Sequence, residues 1–135
     1  MTTSRILIVD DSLTIRRALE LILKPLGYDL DFAADGAQAL ERATAFTPNL
    51  ILLDYVLPDM RAPDVCAALA ATPTTAFTPI ILVSAKGASI RQAYQDAQNV
   101  VSYITKPFKP QVVASVVQNA LARICLLYTS DAADE

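Results

Sequence analysis

The chain has 135 residues, of which 53% are hydrophobic and 19% charged, and its net charge is −3. This length and composition suit a single globular domain with a sizeable core and exclude an intrinsically disordered chain. The sequence contains no histidine, which excludes Ser-His and Cys-His nucleophile systems and most zinc sites, and no basic cluster exceeds Arg16-Arg17, so no nucleic-acid-binding surface is predicted.

The apolar runs of the sequence are the length of strands. None approaches the roughly 18 residues that a membrane span needs. The first run begins at Ile6, directly after a polar amino terminus that leaves no room for a signal peptide, so we expect a cytoplasmic protein without a membrane segment. Cys66 and Cys125 lack C-x-x-C spacing and are expected to be unpaired thiols.

Strand-like and helix-like segments alternate along the chain. The predicted strands are residues 5–9, 28–33, 50–53, 80–83 and 100–104. The predicted helices are residues 13–26, 37–46, 63–71, 88–98 and 110–124. This alternation predicts parallel βαβ units with right-handed crossovers. The first, third and fourth strands are nearly all apolar, which is typical of central strands, whereas the second alternates and suits an edge.

Polar side chains follow four of the five predicted strands. Asp10 and Asp11 follow the first strand, Asp54 the third, Ser84 the fourth and Lys106 the fifth. Each alone is more often a helix cap or a turn residue. Because ligands of such sheets bind beyond the carboxyl ends of the strands, the conjunction predicts one site at that edge.

The residue types at these strand ends suit phosphoryl transfer to a carboxylate. Clustered carboxylates repel one another, and Mg²⁺ relieves that repulsion in a site with few carboxylates and several waters. A carboxylate nucleophile forms an acyl phosphate. A lysine supplies a compact positive charge for the transferred group, and a hydroxyl donates to one of its oxygens.

Four segments carry a resemblance to the receiver domains of bacterial two-component response regulators. They are Ile6-Leu-Ile-Val-Asp-Asp-Ser12, Leu52-Leu-Asp-Tyr-Val-Leu-Pro58, Ile81-Leu-Val-Ser-Ala85 and Tyr103-Ile-Thr-Lys-Pro-Phe108. The resemblance covers about residues 4–124. It implies a doubly wound α/β fold of the flavodoxin-like (βα)5 type, with a five-stranded parallel sheet in the order 2-1-3-4-5.

The resemblance also implies roles for the strand-end residues. Asp54 would accept the phosphoryl group, and Lys106 would contact that group. Asp10 and Asp11 would hold Mg²⁺, together with Asp54 and the backbone carbonyl of Val56.

Further implied features concern the switch that follows phosphorylation. Ser84 would be the switch hydroxyl and Tyr103 the aromatic switch residue, and the bond from Lys106 to Pro107 would be cis. After phosphorylation Ser84 would move toward the phosphoryl group and Tyr103 would turn inward. The surface of the fourth helix, fifth strand and fifth helix would then change its partner preference.

The implied partners are a histidine kinase or phosphotransfer protein as the donor and an output domain or target protein of unknown identity. Such a domain is a regulatory phosphoacceptor that catalyses only its own phosphorylation and dephosphorylation. Residues 100–102, Val-Val-Ser, are more apolar than is usual in the family. They favour either a dimer or hydrophobic partner at the switch surface, or simple packing.

Two further regions differ from the family pattern. Arg61, Ala62 and Pro63 stand where an Asp-Gly pair is usual, and without glycine that loop cannot take a positive-φ shape cheaply. Residues 125–135 differ in composition from the rest and resemble the translation of a sequencing-library adapter. We therefore interpret residues 1–124 as the receiver domain and 125–135 as a non-native tail, beyond which an output domain would be missing; the alternative is a genuine acidic tail.

Two other functions are alternatives to a phosphorylated receiver. The first is a degenerate receiver that serves only as an interaction module, against which the intact acidic cluster and Lys106 argue. The second is a phosphatase of the haloacid dehalogenase type, which also uses Asp, Lys and Mg²⁺. That family requires an Asp-x-Asp arrangement after the first strand, and Asp10-Asp11-Ser12 departs from it.

Overall fold

The computed structural model of the protein describes residues 3–85 and 99–133, with side chains up to Arg123. The helix predicted over 88–98 lies outside these residues. The strands are β1 (Arg5–Val9), β2 (Asp29–Ala33), β3 (Leu50–Asp54), β4 (Ile80–Ser84) and β5 (Val100–Thr105). The described helices are α1 (Leu13–Leu23), a 3-10 turn (Lys24–Leu26), α2 (Gly36–Phe46), α3 (Ala62–Ala71) and α4 (Pro110–Ala133).

The five strands form one parallel sheet in the order β2-β1-β3-β4-β5. This confirms the predicted doubly wound α/β fold and its strand order. Every residue of β3 and β4 is buried, as expected for central strands, whereas β2 is an edge strand with one exposed and three half-buried residues. All carboxyl ends of the strands meet at one edge of the sheet because the strands are parallel.

A hydrophobic core covers each face of the sheet. In β1, Leu7 and Val9 pack on the side of α2 and α3, whereas Ile6 and Ile8 pack on the side of α1 and α4. Val100 and Val101 of β5 also pack against these two cores, one on each side. Burial of each large aliphatic side chain contributes about 1.5–3 kcal/mol, so these faces fix the order and register of the strands.

Local residues explain where α1 begins and ends. The Ser12 side chain accepts a hydrogen bond from the Ile15 amide, which caps the helix. The sequence predicted regular helix as far as 26, but the last turn is a 3-10 turn that contains Pro25. Gly27 then adopts a positive φ of 94° and ends the segment, as the sequence predicted.

Helix α2 is held at both ends by side chains. At its amino end Asp35 accepts a hydrogen bond from the Gln38 amide. At its carboxyl end Thr47 is left-handed, with a φ of 48°. The Arg5 side chain, which comes from β1, donates to the carbonyls of Phe46 and Thr47. This arrangement places a cation where the helix dipole is negative.

Helix α4 is longer than the sequence predicted. We expected it to end near residue 124, but the helix continues to Ala133. The expected end was wrong because no glycine or proline follows Pro110 in the chain to stop the helix. None of the described helices combines the length and apolar character that a membrane span requires.

Cys66 is an unpaired cysteine on α3, as predicted, and its side chain is buried. Burial raises the pKa of the thiol to about 12, so the thiol stays protonated at neutral pH. The Asn99 side chain donates to the Cys66 carbonyl and joins α3 to the start of β5. The side chain of Cys125 lies outside the described part of the chain.

Candidate functional site

Three carboxylates meet at the carboxyl ends of β1 and β3. Val9 of β1 lies opposite Leu53 of β3, so the residues that follow them, Asp10 and Asp54, are also neighbours. One carboxylate oxygen from each of Asp10, Asp11 and Asp54 lies within 4.8 Å of the others. Asp10 and Asp54 are buried, whereas Asp11 is exposed, so the cluster opens to solvent on the Asp11 side.

Lys106 joins this cluster from the loop after β5. Its Nζ donates to Asp10 Oδ2 at 2.9 Å and to Asp54 Oδ1 at 3.4 Å. The Lys106 backbone amide donates to the Ser84 carbonyl, which fixes the loop against β4. The peptide bond from Lys106 to Pro107 is cis. The structure therefore brings together four of the residues that the strand-end pattern singled out.

The charges of the cluster are only partly balanced. Burial and the negative charge of Asp10 raise the pKa of Asp54, although Lys106 and a backbone hydrogen bond from Val56 oppose them. Burial lowers the pKa of Lys106, but hydrogen bonds and charge interactions with Asp10 and Asp54 outweigh it and leave that pKa raised. Lys106 is therefore a cation at neutral pH, yet one ammonium faces three carboxylates.

This set of donors fits Mg²⁺. Carboxylate oxygens are hard ligands, and a divalent cation supplies the two positive charges by which the cluster falls short. Asp11 is exposed, which leaves room for the waters that Mg²⁺ usually keeps. The residues present therefore suit Mg²⁺ at the position that the sequence pattern suggested.

Two side-chain contacts fix the position of Asp10. The Arg16 guanidinium donates to the Asp10 carbonyl at 2.6 Å, and the Ser12 amide donates to Asp10 Oδ1 at 2.9 Å. The strand-end pattern did not single out Arg16 as a contributor to the site. A signal was present, because side chains on a helix lean toward its amino end and Arg16 lies on the first turns of α1, directly after the Asp10 loop.

The two residues proposed for the switch occupy different environments. Ser84 ends β4 and is buried, one residue beyond Val83, which lies opposite Asp54. Tyr103 lies on β5 and is 38% exposed. Ser84 is therefore at the same sheet edge as the carboxylates, whereas Tyr103 is not part of the acidic cluster and faces partly outward.

The β3–α3 loop (residues 55–61) follows Asp54 and contains Val56. A bridge between Val56 and Arg61 closes the loop, and the Ala62 amide donates to the Tyr55 carbonyl. Arg61 is extended, with a φ of −91°, and stands at the N-cap position of α3 without a capping hydrogen bond from its side chain. The loop thus forms without a positive φ, as expected where the chain has Arg61-Ala62 instead of a glycine-containing pair.

A doubly wound parallel sheet with an acidic cluster and a lysine at its strand ends is the architecture of a known class of regulatory proteins. Residues 6–118 match the family described as response regulator receiver domain. The chain therefore belongs to the response regulator receiver family. This membership argues against the haloacid dehalogenase alternative.

Relatives of known name support the assignment. The chain is 35% identical over 119 residues to the DNA-binding response regulator MtrA of Mycobacterium tuberculosis, covering 88% of this chain and 51% of that protein. It is 31% identical over 114 residues to protein PilG of Pseudomonas aeruginosa, covering 84% of each. The chain thus spans about half the length of MtrA and most of the length of PilG.

Solved structures show the same fold. The chemotaxis response regulator CheY4 of Vibrio cholerae superposes with a TM-score of 0.81 at 28% identity, over 87% of this chain and 98% of that one. The receiver domain of the sensor histidine kinase PA1611 of Pseudomonas aeruginosa superposes with a TM-score of 0.78 at 27% identity, over 90% and 99% of the two chains. That structure holds a magnesium ion coordinated in its active-site cleft.

Proposed function

We propose that this receiver domain is a phosphorylation-dependent signalling switch that accepts a phosphoryl group on Asp54. The observation that carries the proposal is the position of the Asp54 carboxylate. It ends a central strand, lies within 4.8 Å of carboxylate oxygens of Asp10 and Asp11, and lies 3.4 Å from the Lys106 ammonium. A regulatory domain with this site catalyses only its own phosphorylation and dephosphorylation.

The proposed reaction uses one oxygen of Asp54 as the nucleophile. That oxygen forms a bond to phosphorus while the bond between phosphorus and the donor breaks, and the donor leaves with the electron pair. Asp10, Asp11 and Asp54 would hold Mg²⁺ together with the Val56 carbonyl. Bound there, Mg²⁺ supplies positive charge that lets an anionic donor approach an anionic carboxylate.

Lys106 and Ser84 would contact the phosphoryl group once it is on Asp54. The Lys106 ammonium already donates to Asp54, so it is placed to pair with a new anionic oxygen. Ser84 would move toward the phosphoryl group, and Tyr103 would turn inward from its partly exposed position. The phosphoryl charge would thus bias a two-state element that includes the β5 and α4 surface.

The proposed donor is the phosphohistidine of a histidine kinase or a phosphotransfer protein. Family membership supports this donor, and the PA1611 domain is itself the receiver of a sensor histidine kinase. The relative MtrA is a DNA-binding response regulator of which the match covers only 51%, which supports an output domain or a separate target as the next partner. A cytoplasmic location follows from such partners. A dimer through the switch surface stays a prediction.

The function is tested with acetyl phosphate as a small donor. We expect intact-mass measurement to show one added phosphoryl group when Mg²⁺ is present and none when EDTA replaces it, because the cluster needs positive charge to admit the donor. Absence of labelling with Mg²⁺ would favour the degenerate receiver, and equal labelling in EDTA would contradict the metal site.

The proposed domain is residues 1–124, and the remaining residues are proposed to be non-native. Val113, Val117 and Ala120 of α4 are buried in the core that covers one face of the sheet, so this face already has a cover within residues 1–124. We therefore expect truncation after Ile124 to change Tm by less than about 2 °C and to leave labelling unchanged. A loss of several degrees in a thermal melt would instead make the tail part of the native domain.

A further inference from the structure

The tip of the β3–α3 loop is attached to the amino end of α2 by one carboxylate. Asp59 Oδ1 accepts a hydrogen bond from the Gly36 amide at 2.7 Å, and Asp59 Oδ2 accepts one from the Ala37 amide at 2.9 Å. These amides belong to the first turn of α2, where backbone N–H groups lack partners within the helix. The attachment joins residues that are more than twenty positions apart in the chain.

A second contact reinforces this attachment. The Met60 side chain lies directly against Gly36, so closely that a Cβ at position 36 would collide with it. Gly36 is itself buried. The glycine therefore allows the loop to lie against the helix, and the Asp59 carboxylate holds it there.

The Asp59 carboxylate stays charged, which stabilises its contact with the first turn of α2. The hydrogen bonds from Gly36 and Ala37 keep the pKa of Asp59 below its ordinary value. The side chain is therefore charged throughout the neutral range, and the helix dipole favours a negative charge at this end. The contact is already formed with the loop in the conformation described here.

The loop connects this contact to Val56. The ends of the loop are paired through the Val56–Arg61 bridge and the hydrogen bond between Ala62 and Tyr55, so the loop has a closed base and a docked tip. Movement of the tip at Asp59 would therefore also move the base of the loop. The Val56 carbonyl lies at this base, two residues after Asp54. Groups that orient metal ligands from outside typically change metal affinity about 10–100-fold.

We infer that Asp59 is a positioning residue, which holds the β3–α3 loop against α2 so that the Val56 carbonyl is placed for Mg²⁺. The inference rests on the proposed function, since it takes the Val56 carbonyl as a ligand. Asp59 does not touch the metal or the phosphoryl group. Its effect passes through the loop backbone and leaves the carboxylates of the cluster unchanged.

Asp35 offers a matched control for the test. It is also an aspartate that accepts a hydrogen bond from an amide in the first turn of α2, but it precedes the helix directly and holds no part of the β3–α3 loop. Asp35→Ala and Asp59→Ala both remove an acidic cap from the same helix end, and both are expected to lower Tm by a few degrees. Only Asp59→Ala releases the loop.

The measurement is a Mg²⁺ titration of the full chain followed by NMR. We expect Asp59→Ala to weaken Mg²⁺ binding about tenfold, whereas Asp35→Ala keeps the wild-type Kd. Asp59→Asn retains one acceptor oxygen and should lie between them. In Asp59→Ala the labelling rate with acetyl phosphate should recover at saturating Mg²⁺, because the carboxylates and Lys106 are intact.

Two results would overturn the inference, and they are distinguishable. If wild type binds Mg²⁺ and is labelled, but Asp59→Ala and Asp35→Ala have the same Kd, then Asp59 only caps the helix. If wild type neither binds Mg²⁺ nor is labelled, the proposed function fails and the inference fails with it. Gly36→Ala tests the same contact from the helix side, since the added methyl group would collide with Met60 and crowd Asp59 Oδ1, and it should weaken Mg²⁺ binding although residue 59 remains an aspartate.

Discussion

Replacing Asp54 with asparagine is expected to abolish phosphoryl labelling by acetyl phosphate. An amide oxygen is a poor nucleophile, and the other two carboxylates follow a different strand and lack the position at the end of β3. Asparagine is nearly isosteric with aspartate and retains an oxygen that can accept from Lys106. A loss of labelling would therefore result from the loss of the nucleophilic carboxylate and not from a change in structure.

The same substitution is expected to raise Tm in EDTA by a few degrees. The pKa of Asp54 is raised by burial and by Asp10, so the charged carboxylate is less favourable in the folded chain than in the unfolded one at neutral pH. For an acid whose pKa is raised on folding, stability falls as pH increases from the unfolded pKa through the folded pKa. Asp54→Asn removes that loss, so the gain in Tm should disappear at low pH.

Asp29→Asn serves as the control, since Asp29 is an exposed aspartate at the start of β2, at the opposite edge of the sheet. It should be labelled like wild type and should melt at nearly the wild-type temperature. If Asp54→Asn were labelled as fully as Asp29→Asn, the acceptor would be another residue. Peptide mapping of the labelled protein would then locate that residue.

Lys106→Ala is expected to change stability, metal affinity and signal coupling together. In EDTA the substitution removes the cation that hydrogen-bonds both Asp10 and Asp54, and Asp10 is only 2% exposed. Loss of one partner from a buried ion pair costs several kcal/mol, and since the Lys106 side chain is 22% exposed we expect a loss of about 2 kcal/mol. The fold should persist, because Lys106 fills no core position.

Mg²⁺ should reverse most of that destabilisation. Without the ammonium the three carboxylates bind a divalent cation more tightly, by about tenfold in Kd. Beryllofluoride, a phosphoryl mimic, should nevertheless produce smaller NMR shifts around Tyr103 than in wild type, because the contact between Lys106 and the phosphoryl group is lost. Lys109→Ala, which removes an exposed lysine nearby, is the control. Full-sized shifts in Lys106→Ala would show that another residue couples the site to Tyr103.

The fold was predictable because its signals are local. The strands begin and end within one residue of the predicted bounds, since short apolar runs are separated by turn residues such as Gly27 and Pro79. The ends of elements were predicted wrongly where the sequence has no clear turn residue. Helix α4 has no glycine or proline after Pro110, and the proline nearest to α1 is Pro25, which lies in the 3-10 turn beyond it, so the end of α4 and this 3-10 turn were not predicted.

The carboxylate cluster was predictable for a topological reason, whereas its supporting contacts were not. Once the strands are parallel, Asp10, Asp54 and Lys106 must approach the same edge. Asp59 carries no comparable signal, because its partners are two backbone amides on another helix and any residue type supplies an amide. The left-handed Thr47 was equally hidden, since a side chain from β1 holds its carbonyl.

The buried thiol of Cys66 gives the protein an internal reporter of unfolding. Only the thiolate reacts with an alkylating reagent, and a protonated thiol packed between α3 and the sheet is shielded from both ionisation and attack. In a chain truncated after Ile124 Cys66 is the sole cysteine. The fraction of Cys66 that is alkylated during a brief pulse of reagent would then measure the fraction of molecules in which the domain has opened. The effect of each substitution on the opening of the domain becomes measurable in water, without denaturant.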